Sequence, residues 1–287
     1  MHEIVVDKSF LDGAPGTQVL DVFAKNKALI IESLFFELMT TDAISQIRCF
    51  SKVPEHPNSF ALIPNVGTLL RYELENRRPC LPLHDRRIEG TYIFNAKLRN
   101  GTYIPDVNVL AQLEEWQTKI EADTRAFLER CQAIHQFFPE LIGIEFRDFP
   151  AAVANARRSL ATDHARVRSI YAQLRADAPP LDTLEPELLS PQWAWFRWVQ
   201  SQMLAALRIF GRYQCRVPDV PTPRVLRNAE HSMLDVEYIL AASLTGAIAT
   251  NDTEVEEDFR LLCPKGLVVK PLRKTANVVC QDSCHVT

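Results

Sequence analysis

Four acidic residues stand where a sheet of parallel strands would bring them together. Asp7 closes the apolar run IVV near the start of the chain, and Glu37 lies one helical turn past a second apolar run, ALII. Asp252 follows the run AIAT near the other end, and Asp235 falls in the first half of the amphipathic stretch leading into that run. In an open parallel sheet ligands gather outside the carboxyl ends of the strands, so polar residues there are the first to consider for chemistry. Several converging carboxylates with few cations nearby repel one another and are stable together only when positive charge is supplied. Hard oxygen ligands select Mg2+ or Mn2+ over zinc, and such a cluster activates a water and stabilises the leaving oxygen of a phosphodiester. Taken singly, each acid reads equally well as a helix cap or a solvated charge; the joint pattern carries the chemistry. His231, one turn before Asp235 on the same face, reads either as a phosphate contact or as a satisfied core histidine. Glu237 should turn away around the helix to the surface, with Glu256 and Asp258 read as cap and surface residues.

The elements that must position these residues are legible as periodicity. Residues 3–6 form a short apolar run, a Gly/Pro turn follows at residues 13–16, and Val19, Leu20, Phe23 and Ala24 then share one helical face. Residues 28–31 are a second buried-strand run, with Ser33 as the N-cap of a helix carrying Leu34, Phe35, Glu37 and Leu38. Near the other end a helix through Asp235 stops at Gly246, residues 247–249 form a strand, Thr253 and Glu256 have capping-box spacing, and residues 266–269 are a last strand. Strand and helix in alternation imply a parallel α/β sheet.

The middle of the chain differs. It holds a helical piece over residues 67–75, a hairpin signal at Asn100-Gly101, and apolar residues from Leu110 through Trp116, Ile120 and Phe127 to Phe138 at helical period. A second long helix is expected over residues 151–176. A third starts at Ser190-Pro191, with Trp195, Trp198, Val199, Met203, Leu207 and Phe210 as its buried stripe. Residues 149–229 contain eleven arginines, no lysine and six acidic residues, so this stretch is positive by five and the remainder negative by nine. Guanidinium groups grip phosphate with paired hydrogen bonds, which makes Arg157, Arg158, Arg166, Arg168 and Arg175 candidate contacts to a nucleic-acid backbone; a solvated arginine face is the plainer reading. Trp193, Trp195 and Trp198 read as core rather than as base-stacking platforms.

In these segments the chain resembles the PIN domain, a family of metal-dependent nucleases. The likeness is carried by IVVDKSFLDG with Asp7, by ALIIESLFFELM with Glu37, and by HSMLDVEYILAASLTGAIATNDTEVEEDF, where Asp235 falls on the helix, Gly246 ends it and the strand closes in Thr250-Asn251-Asp252. It covers about residues 1–50 and 225–275, less than half of the chain. The resemblance implies an α/β fold: a PIN-like parallel sheet flanked by helices, built from residues 1–53 and 224–275, interrupted by a mainly helical insertion or cap over residues 54–223 and followed by a tail at residues 276–287. It implies Asp7, Glu37, Asp235 and Asp252 as the catalytic, metal-binding quartet, Mg2+ or Mn2+ as cofactor, and endoribonuclease activity, with RNA favoured over DNA as substrate. A toxin or phage-defence role, with an inhibitor or defence-system partner protein or a homo-oligomer, is suggested by fold-level analogy alone. Lys8 departs from the small hydroxyl residue that commonly follows the first Asp, which bears on the surroundings of the metal. The rival reading is a catalytically inactive PIN-like scaffold that docks a partner or RNA through its helical insertion; the presence of all four acids argues against it.

Composition agrees with a globular chain. With 287 residues, 47% of them hydrophobic, it is long enough to bury a full core. It has no run of about 18 apolar residues, and MHEIVVDKSF lacks a basic stretch followed by an apolar one, so a cytoplasmic setting without a membrane span is expected. Seven scattered cysteines suit a reducing compartment. The clustered set, Cys280, Cys284 and His285, lacks a fourth ligand for zinc and reads as a plain tail.

Overall fold

The computed structural model describes residues 2–90, 96–176, 178–179, 182–213, 217–218 and 220–272. Among them, strands β1 (Glu3–Val6), β2 (Lys27–Ile31), β3 (Ala61–Ile63), β4 (Ala247–Ala249) and β5 (Leu267–Val269) form one sheet in the order β3-β2-β1-β4-β5, with every pairing parallel. Ile4, Val5, Val6, Leu29, Ile248 and Ala249 are all fully buried, because a parallel sheet is covered on both faces and its strands read as continuous apolar runs. The chain starts at the centre, steps outward through β2 to β3, and returns to the other side of β1 as β4. The order therefore reverses between β1 and β4, which is the switch point where such sheets open a crevice.

The helices are α1 (Lys8–Gly13), α2 (Gly16–Lys25), α3 (Glu32–Thr40), α4 (Ala43–Phe50), α5 (Val66–Asn76), α6 (Ala96–Arg99), α7 (Val107–Gln132), α8 (Phe149–Thr162), α9 (His164–Leu174), α10 (Ala194–Arg212), α11 (Pro223–Thr245) and α12 (Thr253–Leu262). Helix α10 is buried nearly all round, its polar Arg197, Gln200, Ser201 and Gln202 included, and sits inside a helical layer, packed by α5, α7, α8, α9 and α11. The expected stripe of Trp195, Val199, Met203, Leu207 and Phe210 is buried there, with Trp198 partly so. None of the helices described is long and apolar enough to cross a membrane.

Several elements differ from expectation. Strand β3 lies inside the stretch assigned to the insertion, pairing Leu29 with Ala61 and Ile31 with Ile63, so the α/β unit runs past residue 53. Three residues between polar and proline-bearing flanks give too short a run to register as a strand. The single helix expected over residues 151–176 is two, because Asp163 turns its carboxylate onto the Arg166 amide and caps a fresh helix. At Asn100-Gly101 the preceding Lys97, Leu98 and Arg99 are helical rather than extended, while residues 91–95 lie outside the described residues. Helix α7 has the expected period but ends at Gln132, short of Phe138, and Val107 and Leu110 are exposed with full burial beginning only at Thr124: periodicity defines a face, not what covers it. The Cys280, Cys284 and His285 set and the tail at residues 276–287 lie outside the described residues.

Candidate metal and nucleic-acid site

At the switch point Asp7 and the turn after β4 are tied together. Asp7 follows β1, caps α1 through the Ser9 amide at 3.0 Å, and accepts from the Ser9 hydroxyl at 2.6 Å and from the Thr250 hydroxyl. Ser9 Oγ in turn accepts from the amides of Asn251 and Asp252 at 2.8 and 3.0 Å, joining the ends of β1 and β4. A hydroxyl thus sits beside the first acid after all, supplied by Ser9 rather than by residue 8. Asp252, not Thr253, is the N-cap of α12: its Oδ1 accepts from the amides of Glu254 and Val255 at 2.7 and 3.1 Å. Glu256, read as the other half of a capping box, instead pairs with Arg260 and Lys270 at 2.8 and 2.6 Å.

Helix α11 brings in the third acid. It starts at the Thr222 cap with Pro223 in its first turn and stops at Gly246, whose φ of +79° is the left-handed conformation that glycine adopts without strain. Asp235 and Tyr238 lie three residues apart on one face, and the Tyr238 hydroxyl donates to Glu37 Oε2 from α3. Tyr238 was not singled out from the sequence; its offset from Asp235 is the signal that could have found it. Asp235 Oδ2 lies 3.9 Å from Arg208 Nη1 of α10.

Asp235 feels the charge of the other three acids. Burial pushes Asp235 well above the usual carboxylate range, Arg208 opposes this, and Asp252, Asp7 and Glu37 add to it. Asp7 is raised mainly by burial, against the hydrogen bonds from Ser9 and Thr250. Glu37 is pushed up to about 7, chiefly by burial, with Tyr238 and Lys8 opposing and Asp7 adding. Among the described residues no three His, Cys, Asp or Glu side chains are grouped closely enough to hold a metal ion as they stand. Hydroxyl, amide and guanidinium groups of the chain satisfy the carboxylates instead. Carboxylate and hydroxyl oxygens are the donor type that hard divalent cations take, but the described arrangement does not gather three of these acids around one point.

A measurable consequence follows for the metal-free chain. A folded-state pKa of about 7 for Glu37, against an ordinary 4.5, means that the folded chain binds the extra proton between those values, so stability falls as pH rises through that window. Glu237, half-buried rather than at the surface and also pushed up to about 7 by burial, adds to the same slope. Without divalent ions, the melting midpoint should be lower at about pH 7.5 than at about pH 5.5, and a midpoint that rises across this interval would contradict the assignment.

Beside the acids opens a cleft of about 560 Å3 between α3, α7 and the start of α11, with Glu37 in its wall and Lys8, Arg125, Arg227 and His231 around it. Of the four acids, Glu37 alone lines it. His231 is exposed there, not a core histidine. The five arginines expected to contact a backbone do not line this cleft. Arg157 pairs with Asp258 at 2.6 Å, Arg158 bonds Asn155, and Arg166 bonds the Phe137 carbonyl at 3.1 Å and Glu140 at 2.6 Å. Arg168 bonds the Leu189 carbonyl at 2.8 Å, and Arg175 bonds the Asp182 carbonyl and covers the Trp195 ring. Arg158 is exposed and bonded within its own helix; the other four fasten the helical layer, because inside a packed layer their donors need acceptors close at hand. Asp258, read as a surface residue, is fully buried between Arg157 and Arg208. The chain matches no protein-family model, no curated protein and no solved structure.

Proposed function

We propose that this chain is a divalent-metal-dependent nuclease of the PIN-like kind, with RNA as its substrate and Mg2+ or Mn2+ held by Asp7, Glu37, Asp235 and Asp252. The observation that carries the reading is their placement: carboxylates from the ends of β1 and β4, at the switch point of an all-parallel sheet, share a neighbourhood with acids from α3 and α11. A divalent ion held by these carboxylates would supply the Lewis acidity for water to attack a phosphodiester at neutral pH. The chain's own part is to fix the acids. Ser9 and Thr250 hold Asp7, the α12 amides hold Asp252, and Tyr238 holds Glu37. Lys8, Arg125 and Arg227 line the neighbouring cleft and offer contacts to a phosphate backbone, set among Glu37, Glu121 and Glu230 of the same walls. A PIN-like scaffold without catalysis is the rival, and a toxin or defence role remains an analogy to the family. The test is incubation of the full chain with total cellular RNA, and separately with DNA, in Mg2+, Mn2+ or chelator, followed by sequencing of new ends. New RNA ends that need the metal and vanish in chelator are expected. An unchanged RNA pool, together with no rise in melting temperature on adding Mn2+, would leave the scaffold reading.

A further inference from the structure

Two residues on from Asp235, Glu237 turns to another side of α11 and into the wall of a second cavity, of about 530 Å3, between α3, α5, α7, α10 and α11. Leu70, Trp116, Ile120 and Trp198 give it apolar and aromatic walls. Glu32, Arg130 and Glu237 are its partly buried charges, and Glu115, Lys119 and Asp123 are exposed at its rim. Glu32 is already in use, since its Oε2 accepts from the Asn65 amide and side chain at 3.2 and 2.9 Å. The other two are not. Among the described residues neither Glu237 nor Arg130 has an ion-pair partner within 4.0 Å, and Glu237 Oε2 and Arg130 Nε are buried without a hydrogen-bond partner. Arg130 makes one long bond, from Nη2 to Gln202 Oε1 at 3.4 Å. Ser33 and the rim Lys119 favour the charge on Glu237, against Glu32 and Asp123, while Asp123 and Glu129 favour that on Arg130 against its burial. An unpaired charge out of water is costly until a partner reaches it.

We propose that this cavity binds a free α-amino acid with a large apolar side chain, its ammonium on Glu237, its carboxylate on Arg130 and its side chain among Leu70, Trp116, Ile120 and Trp198. The spacing supports a ligand with both charges on one carbon. Gln202 links Arg130 to Met233, its Nε2 meeting Met233 Sδ at 3.5 Å, and Met233 stands one turn before Glu237, a step of about 6 Å on a helix face. An ammonium and a carboxylate on the same carbon, each reaching a hydrogen bond of about 2.8 Å, span a gap of that order. A ligand with a carboxylate alone would meet Glu32 and Glu237, and one with an ammonium alone would leave Arg130 unpaired. The zwitterion answers both. The volume lies within the roughly 300–1,000 Å3 of small-molecule sites. None of Asp7, Glu37, Asp235 and Asp252 lines this cavity, so the proposal does not rest on the nuclease reading.

Calorimetric titration of the full chain with L-phenylalanine, phenethylamine and 3-phenylpropionate tests this, with tryptophan emission as a second readout because Trp116 and Trp198 stand in the wall. The probes share a ring and carry both charges, the ammonium alone or the carboxylate alone. L-Phenylalanine should bind about tenfold or more tightly than either of the others, since each lacks one charge-assisted bond. Arg130→Gln should bring L-phenylalanine down to about the affinity of phenethylamine without weakening phenethylamine. Glu237→Gln should bring it down to about that of 3-phenylpropionate without weakening that probe. Loss of structure would not give this crossed pattern, and if a variant does not fold, the three probes on the unaltered chain decide by themselves. Equal affinity for L-phenylalanine and phenethylamine would show that Arg130 takes no carboxylate. Equal affinity for L-phenylalanine and 3-phenylpropionate would show that Glu237 takes no ammonium, and no binding of L-phenylalanine, L-tryptophan or L-leucine would show that the cavity takes no amino acid. Each of these results overturns the proposal and leaves the nuclease reading untouched.

Discussion

On the proposed nuclease reading, Asp7→Asn should abolish metal-dependent cleavage, by about a thousand-fold or more, while the metal-free protein melts at the same temperature or higher. The activity half follows from its place: Asp7 ends the central strand at the switch point and is the acid bonded to the turn that carries Asp252. Losing one group from a site that activates water typically costs about two to four powers of ten. The stability half follows from burial. Asp7 is 5% exposed and its carboxyl is raised chiefly by that burial, so a neutral side chain removes a cost. Asn keeps an oxygen for the Ser9 amide, and as an N-cap it is about equal to Asp. Cleavage of a defined RNA in Mn2+, set beside melting in chelator, separates the two halves. Retained cleavage would remove Asp7 from the site; a marked fall in the chelator melting point would mean that the Ser9 and Thr250 bonds need the second carboxylate oxygen.

The sequence shows the acids more clearly than it shows what holds them. Asp7, Glu37, Asp235 and Asp252 stand out because each sits at a fixed offset from an apolar run, and burial on both faces makes β1, β2 and β4 continuous runs. Gly246 marks the end of α11 because only a residue without Cβ is at ease at its φ. The partners do not stand out in this way. Thr250 and Ser9 meet Asp7 across a separation of more than two hundred residues in one case and of two in the other, and only the fold makes these one cluster. The arginines mislead for a related reason. Composition shows a basic stretch, but whether a guanidinium faces a ligand or a neighbouring helix depends on packing, and Arg157, Arg166, Arg168 and Arg175 found acceptors within the chain. Arg208, not distinguished from them by any local pattern, is the one that reaches Asp235.

Loss of the Glu73 carboxylate should cost the fold heavily. It lies on α5, is fully buried, and was not conspicuous in the sequence because its partners are distant. Helix α10 starts at Trp193 without a side-chain cap of its own, and the Ser190-Pro191 start expected for it is not used. Glu73 takes that role from another helix: Oε1 accepts from the Ala194 amide at 2.7 Å and the Cys80 amide at 3.0 Å, and Oε2 from the Trp195 amide at 3.1 Å. A carboxylate here also meets the positive end of the α10 dipole. The burial that raises its pKa is thus offset by three charge-assisted bonds. In Glu73→Ala all three amides lose their acceptor inside the protein, and each buried donor left unpaired costs about 1–3 kcal/mol, so a loss on the order of 3–5 kcal/mol is expected. Glu73→Gln keeps one acceptor oxygen and can serve the Ala194 and Cys80 amides, but not Trp195, so its loss should be about 1–2 kcal/mol. Trp195, whose indole donates to the Leu70 carbonyl beside this contact, is a natural fluorescence reporter in urea unfolding. Unfolding midpoints for Glu73→Ala and Glu73→Gln that coincide with that of the unaltered chain would show that α10 is held by its apolar faces alone.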